Sequence, residues 1–456
     1  MSGDIKDNWI TMFHKRGLQT DLINWHGLFL SNFLANSPMT WLTHSLTPYA
    51  ARMGIIPETQ VATQPGVQTR DLMSFLLGLK CWLTRCKQTI YAIKRDQMKG
   101  FDCLAPEGFY DAIEAYGLPT SIIALDRAAQ ANNSCLIRTA HGITELIIVN
   151  GVTKQGGLLS PLKSTLTTSL GHRYLTDLAG RDPDSLVMTS ATSTKGDPHL
   201  PNNHLQLTIV MADATDDSYI FSTTIQSLHA MTLEMERFQF TYGWLTQWMK
   251  TIAFVLNGSD RVPDKISFLS ISIGNGQDPM AITEHEVPLI QNVLEFLRTK
   301  VDNPSKRYEE LAEIIQTFTF PRIVGHYPIT LVHKIVAQNI VSRCRALLSL
   351  QLIKHKDAQR LDSMIMSRVH EFSRLPFKPN TAIATLPVSL WGSHFPSISR
   401  INSGIVVDGT ARDLNHHIKS YRVMARITMA DWTCEKNGCI YPLDGPGLLA
   451  PISNST

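Results

Sequence analysis

Charge, cysteine and uninterrupted apolar runs are all in short supply in this 456-residue chain. Asp, Glu, Lys and Arg together make up 18% of it, and 42 Lys and Arg against 39 Asp and Glu leave a net charge of only +3. This excludes a strongly basic protein that coats nucleic acid through bulk charge, so any phosphate contact must come from a local patch. The seven cysteines are scattered and odd in number. They make no disulfide framework and point to a reducing compartment. No basic start followed by an apolar run opens the chain, so no secretory signal is expected. Two stretches without charge, 22–51 and 379–399, are broken by Pro, Asn, Ser, Thr and His, unlike a bilayer-spanning helix. The expectation is an intracellular protein, nuclear or cytoplasmic, that is not secreted and has no membrane partner.

What is present is a sizeable apolar fraction, 43%, enough to bury a core and to exclude disorder. At roughly 150 residues per domain the length predicts about three domains or subdomains. The pattern is mixed α and β, and no internal repeat is visible. Leu72, Leu76 and Leu79 predict an amphipathic helix over 70–85. A short apolar run at 90–93 predicts a buried strand. Pro106 opens a helix that Gly117 closes, and Ser160-Pro161 opens another as N-cap and first-turn proline. Residues 180–204 are rich in Asp, Ser, Thr, Pro, Gly and Asn, as an exposed insertion would be. Apolar runs at 207–211 and 219–221 around an Asp-rich centre predict a hairpin with carboxylates at its tip. A helix over 224–240 ended by Gly243, strands over 245–256 and 266–273, and a mostly helical stretch over 284–374 complete the reading. Between 334 and 378 nine Lys and Arg stand against three acids, a local excess larger than that of the whole chain. Lys334, Arg343, Arg345, Lys354, Lys356 and Arg360 are its candidate phosphate contacts; a merely solvated helical face is the alternative.

Four short segments carry the chemistry. They are Asp96-Gln97-Met98-Lys99-Gly100-Phe101-Asp102 after a strand; Gln155-Gly156-Gly157-Leu158-Leu159-Ser160-Pro161; Asp216-Asp217-Ser218-Tyr219 in the hairpin; and Gly243-Trp244-Leu245 with Lys250-Thr251. Two-metal phosphoryl transfer needs carboxylates from separate strands brought together around ions roughly 3.5–4 Å apart. A strand-end Asp and a hairpin Asp pair would supply them.

The order Asp-x-x-x-Gly-Phe-Asp, Gln-Gly-x-x-x-Ser-Pro, Asp-Asp and Gly…Lys-Thr resembles palm motifs A, B, C and D of a reverse transcriptase, most closely that of non-LTR (LINE-type) retrotransposons. Upstream, Asn24-Trp25-His26-Gly27-Leu28-Phe29, Ile56-Pro57-Glu58-Thr59-Gln60 and Asp71-Leu72 resemble the fingers segment, so the match runs from about residue 22 to about 260. The resemblance implies an α+β right-hand polymerase fold. Its fingers would span 1–87, its palm 88–280 with the polar insertion near 180–204, and its helical thumb 281–380, with a C-terminal extension over 381–456. It implies an RNA-directed DNA polymerase that uses an RNA template, a DNA primer and dNTPs, with two Mg2+ ions for which Mn2+ can substitute. Asp96, Asp216 and Asp217 would be the metal-binding carboxylates, with Gln97 offering its backbone carbonyl. Phe101 would exclude a ribose 2′-hydroxyl, Gln155 and Gly156 would line the nucleotide pocket, and Lys250 would protonate the leaving pyrophosphate.

The sequence departs from the family at Ala214 and Thr215, where motif C carries an aromatic and then a small residue. It departs also at Gly100 for Ala, and at His26 for a basic fingers residue. The fingers begin almost at Met1 and no endonuclease region is evident, as in a partial reading frame. A decayed element that keeps the palm and binds nucleic acid without polymerising is therefore the alternative function. An RNA-templated RNA polymerase is a third, which Phe101 disfavours. Asp213 is a rival for the motif C position, and Asp102 suits a turn cap better than a metal. Cys434 and Cys439, with His416 and His417 17–18 residues before Cys434, lack a standard zinc spacing, so structural cysteines are favoured.

Overall fold

The structure is a computed structural model that describes residues 7–437. It leaves out 15–16, 22–23, 99, 102, 132, 140–141, 150–152, 191–204, 215–216, 259–261, 274–279, 297–298, 302–303, 322–327 and 374–379. The chain is mixed α+β and divides into two compact units. The first comprises Met1–Val67, Lys87–Val187 and Thr208–Asn292; the second comprises Gln68–Cys86, Met188–Leu207 and Val293–Thr456. Among the described residues no helix is long and apolar enough to cross a membrane.

The first unit is organised by a six-stranded sheet in the order Lys265–Ile273, Met280–Gln291, Ile252–Leu256, Ile90–Asp96, Asp217–Ser222, Met211–Ala214. All neighbours are antiparallel except Ile252–Leu256 with Met280–Gln291. Alternate residues of a strand point to opposite faces. Ile93, Met211, Ile220, Ala253, Val255, Phe268 and Val287 belong to one buried cluster with Leu175 of the Ser160–Ala179 helix and Leu228, Met231 and Met235 of the Ile225–Thr241 helix. That second helix starts where expected, its Thr224 side chain accepting from the Ser227 N–H. Gly243 follows its end at φ +81°, where a Cβ would stand 2.6 Å from the Cys103 carbonyl oxygen. A second core joins Leu42, Leu46, Phe109, Ile113, Ile122 and Leu166 from four helices. A smaller sheet, Trp25–Leu30, Asp7–His14, Ser134–Thr139 and Gly142–Ile143, with Ile147–Ile148 also paired to Ser134–Thr139, completes the unit.

Three local expectations are corrected. The stretch from 284 is not helical at its start: Met280–Gln291 is a strand, followed by the hairpin Leu294–Phe296 and Thr299–Val301, and helix begins only at Pro304. Its side chains alternate strictly in exposure from Ala281 to Ile290, the period of a half-buried strand, with the charges of Glu284 and Glu286 turned outward. The strand expected over 245–256 begins at Ile252, because the preceding residues bond to the end of the Asp96 strand instead. Leu159, not Ser160, is the N-cap of the Ser160–Ala179 helix; the Ser160 hydroxyl donates to the Lys154 carbonyl at 2.7 Å.

The second unit is helical apart from short strands. Its core gathers Leu311, Ile315, Val332, Val336, Leu348, Leu361, Ile365 and Ile398. The Thr69–Cys86 helix brings Gly78 against Met424 and Thr428 of the Lys419–Asn437 helix. Asp71 is its electrostatic anchor: Arg412 donates to both carboxylate oxygens at 2.9 and 2.7 Å, and His416 stands 3.5 Å away. Burial alone would raise the Asp71 carboxyl, but hydrogen bonding from His416 and Arg412 overrides it and holds the group far below the usual carboxylate range. Since the folded value lies below the unfolded one of about 3.9, this contribution is present above that pH and is lost as pH falls through the folded value. Arg412→Met should therefore cost about 1–3 kcal/mol at pH 7, less than a fully buried pair because Arg412 is partly exposed. In urea titrations the gap from the parent should close as pH drops below about 4; a gap independent of pH would contradict this.

Candidate active site

Register decides what the sheet presents. On the antiparallel pair Ile90–Asp96 and Asp217–Ser222, Asp217 lies directly opposite Asp96, and across the hairpin Ala214 lies opposite Asp217. Ala214, Asp217 and Asp96 thus form one row across three strands. Their chain neighbours Asp213, Ser218 and Arg95 form the next row and point to the other face. The Asp96 and Asp217 side chains are 18% and 23% exposed, whereas Arg95 and Asp213 are each 1% exposed. At this end of the sheet the face with Asp96 and Asp217 is partly open, although Tyr219 and Phe221 farther along it are buried, and the opposite face is sealed.

Lysines flank the open row. The Lys250 ammonium is 3.0 Å from Asp96 and Lys94 is 3.8 Å from Asp217. Lys250 ends the short 3-10 turn Trp248–Lys250. That segment is tied to the Asp96 strand, since the Gln247 N–H donates to the Asp96 carbonyl and the Met98 N–H to the Leu245 carbonyl, both at 2.8 Å. The structure therefore gathers Asp96, Asp217 and Lys250 from segments far apart in sequence. Lys94 was not singled out in the sequence, although the two-residue alternation from Lys94 to Asp96 puts them on one face.

Asp216 and Asp102 lie outside the described residues. Asp213, the rival to Asp216, is fully buried, and its carboxylate oxygens have no hydrogen-bond partner among the described residues. Burial pushes its carboxyl well above the usual range against the pull of Arg95, and its side chain lies on the opposite face of the sheet from Asp96 and Asp217. The Gln97 side chain is buried, with its backbone bridged to Thr246. Phe101 sits half-buried in the following turn. Gln155 and Gly156 are placed by other bonds: the Gln155 carbonyl accepts from the Phe29 N–H at 2.9 Å, and the Thr153 N–H donates to Leu104, just past Phe101, at 3.3 Å. Gly156 has φ +97°, and a Cβ there would stand 2.7 Å from the Phe29 carbonyl oxygen, so this position takes only glycine without strain.

Two carboxylates on adjacent strands are hard oxygen donors of the kind Mg2+ takes with substrate phosphates and water. Among the described residues no group of three or more His, Cys, Asp or Glu side chains could hold a metal ion. In the second unit Lys334, Arg343, Arg345, Lys354, Lys356 and Arg360 are all exposed, Arg360 paired with Asp357 at 3.0 Å. His416 is committed to packing near Asp71 and accepts from the Ile418 N–H at 3.2 Å. The Cys434 side chain and Cys439 lie outside the described residues.

No family model and no curated protein matches the chain. Among solved structures, similar ones include the apo telomerase of Candida tropicalis truncated from its C-terminal domain, at 14% identity and TM-score 0.39, covering 62% of this chain and 56% of that one. The telomerases of Candida tropicalis and Candida albicans, each in complex with a TWJ fragment of telomeric RNA, match at 12% and 11% identity with TM-scores of 0.42. These two matches cover 93% and 94% of this chain, but 64% and 67% of the telomerase chains. The chain thus spans between about half and two thirds of the length of these structures. Likeness at this level assigns neither family nor activity.

Proposed function

We propose that residues 88–280 form a polymerase palm with fingers over 1–87, and that the chain holds an RNA–DNA hybrid and extends the DNA primer as an RNA-directed DNA polymerase of the non-LTR retroelement type. The observation that supports this is the direct opposition of Asp96 and Asp217 on neighbouring strands. In the reaction the primer 3′-hydroxyl attacks the α-phosphorus of a dNTP, and the bond to pyrophosphate breaks. Asp96 and Asp217, with Asp216, would hold two Mg2+ ions, or Mn2+ in their place, which supply activation of the hydroxyl and neutralisation of phosphate charge. The chain's own groups do the rest. Lys250 hands a proton to the departing pyrophosphate oxygen. Phe101 packs against the sugar and excludes a 2′-hydroxyl. Gln155 and Gly156 border the nucleotide. The exposed basic residues from Lys334 to Arg360 grip the hybrid backbone without reading its sequence.

A second reading has the palm retained for nucleic-acid binding without synthesis. The lysines favour it: each described carboxylate of the pair already faces an ammonium, Lys250 on Asp96 and Lys94 near Asp217, which can satisfy the charges without a metal.

Primer extension on poly(rA)/oligo(dT) with Mg2+ and dTTP separates the two. The polymerase reading expects extension by the parent that falls by about a hundred- to a thousandfold in Asp96→Ala, with salt-sensitive hybrid binding kept by both. Binding without extension by the parent selects the second reading, and neither extension nor binding rejects both. In an extending enzyme Phe101→Ala should admit ribonucleotides; unchanged sugar selectivity would remove Phe101 from the gate.

A further inference from the structure

We propose that the buried Glu236 carboxylate, together with Arg95, is a positioning hub that sets Lys250 over Asp96; this deepens the palm reading and rests on it. Arg95 immediately precedes Asp96 but points to the sealed face. Its Nη2 donates to Glu236 Oε1, to Gln239 Oε1 at 2.6 Å and to Thr246 Oγ1 at 2.7 Å. Glu236, from the Ile225–Thr241 helix and also buried, takes the Thr246 hydroxyl on the same oxygen. Its other oxygen accepts from Ser270 Oγ at 3.1 Å, which in turn accepts from Trp248 Nε1 at 2.8 Å.

One carboxylate therefore joins the strand of Asp96, both ends of the segment leading to Lys250, and the Lys265–Ile273 strand. The Trp248 ring is further pinned by stacking on His285, with centroids 5.0 Å apart and planes at 2°. Lys250 itself is 64% exposed on a flexible stem, and an exposed ion pair does little to hold its own geometry. Its placement must come from the backbone beneath it, which the Gln247–Asp96 and Met98–Leu245 bonds tie to the strand end and the hub braces from the sealed side. A buried charge pair is a costly way to hold a helix on a sheet, since apolar residues of similar volume do so as well or better. What this pair supplies is direction, through hydrogen bonds to Thr246 and Ser270 that an apolar contact lacks.

The test disconnects the hub from the Lys250 segment and reads Lys250 without relying on activity. Thr246→Val with Trp248→Phe removes both links; the first keeps side-chain shape and the second keeps an aromatic ring at the position. Competitive amine acylation of the folded full chain then compares Lys250 with Lys265, a similarly exposed lysine paired to Glu286 at 3.0 Å. The Lys250/Lys265 labelling ratio should rise about two- to fivefold, the size of an exposed ion pair, and match the ratio in Asp96→Asn. An unchanged ratio overturns the proposal. If the double variant fails to fold, Thr246→Val and Trp248→Phe are compared singly, each cutting one link, and an unchanged ratio in both overturns the proposal. In an extending enzyme the variants should lower kcat with KM for dTTP unchanged, and should have no further effect on a Lys250→Ala background; additive losses would mean general structural damage and also overturn it. A parent that extends no primer rejects the polymerase reading alone, because the labelling ratio still decides the positioning.

Discussion

The pairing register between the Ile90–Asp96 and Asp217–Ser222 strands is the constraint on which the rest of the site depends. A strand places alternate side chains on opposite faces, so a slip of one residue exchanges the two sets. It would turn Asp217 into the sealed face and bring Ser218 out beside Asp96. The register is enforced by what each face must bury. Ile93 and Ile220 are opposite one another, both fully buried against the helices, and a slipped pairing would forfeit that packing. The apolar core thus fixes the position of polar groups it does not touch.

Electrostatics divides along the same line. On the open face two carboxylates and two lysines lie together, partly solvated, where pairs are weak and exchangeable. On the sealed face Arg95 and Glu236 are bonded to each other and to Gln239, Thr246 and Ser270, where removing one partner strands a charge in a poor medium. A soft, partly solvated pair therefore sits back to back with a stiff one. Adjacent residues, Arg95 and Asp96, serve the two sides, which ties the rigidity of the interior to the geometry of the surface.

Much of this was legible in the sequence, and the remainder was hidden for identifiable reasons. Local punctuation gave the Pro106–Ala115 and Ile225–Thr241 helices, because prolines, caps and glycines act within a few residues; of the hairpin around Asp217 it gave the second arm, the first being Met211–Ala214 while Gln206–Ile209 pairs with Leu186–Thr189. The ordered motifs singled out Asp96, Asp217 and Lys250 before their strands were known to meet. The Met280–Gln291 strand does not read as one in the sequence, because Thr283 and His285 interrupt its inward face while Ile282 and Ile290 lie on its outward one. The hub could not be read at all. Arg95 and Glu236 are 141 residues apart, and a charged residue inside an apolar pattern does not announce its partner. Lys163 and Asp126, 2.5 Å apart and both buried, were invisible for the same reason.

The central claim is that the opposed carboxylates of the open face form a divalent-cation site. Mn2+ titration of the parent and Asp217→Asn, followed by electron paramagnetic resonance, addresses it whether or not the chain polymerises. The account predicts Mn2+ binding by the parent that weakens by about tenfold or more when this one ligand loses its charge. It predicts also that Asp213→Asn, altered on the sealed face, binds as the parent does. Equal binding by the parent and Asp217→Asn would contradict it.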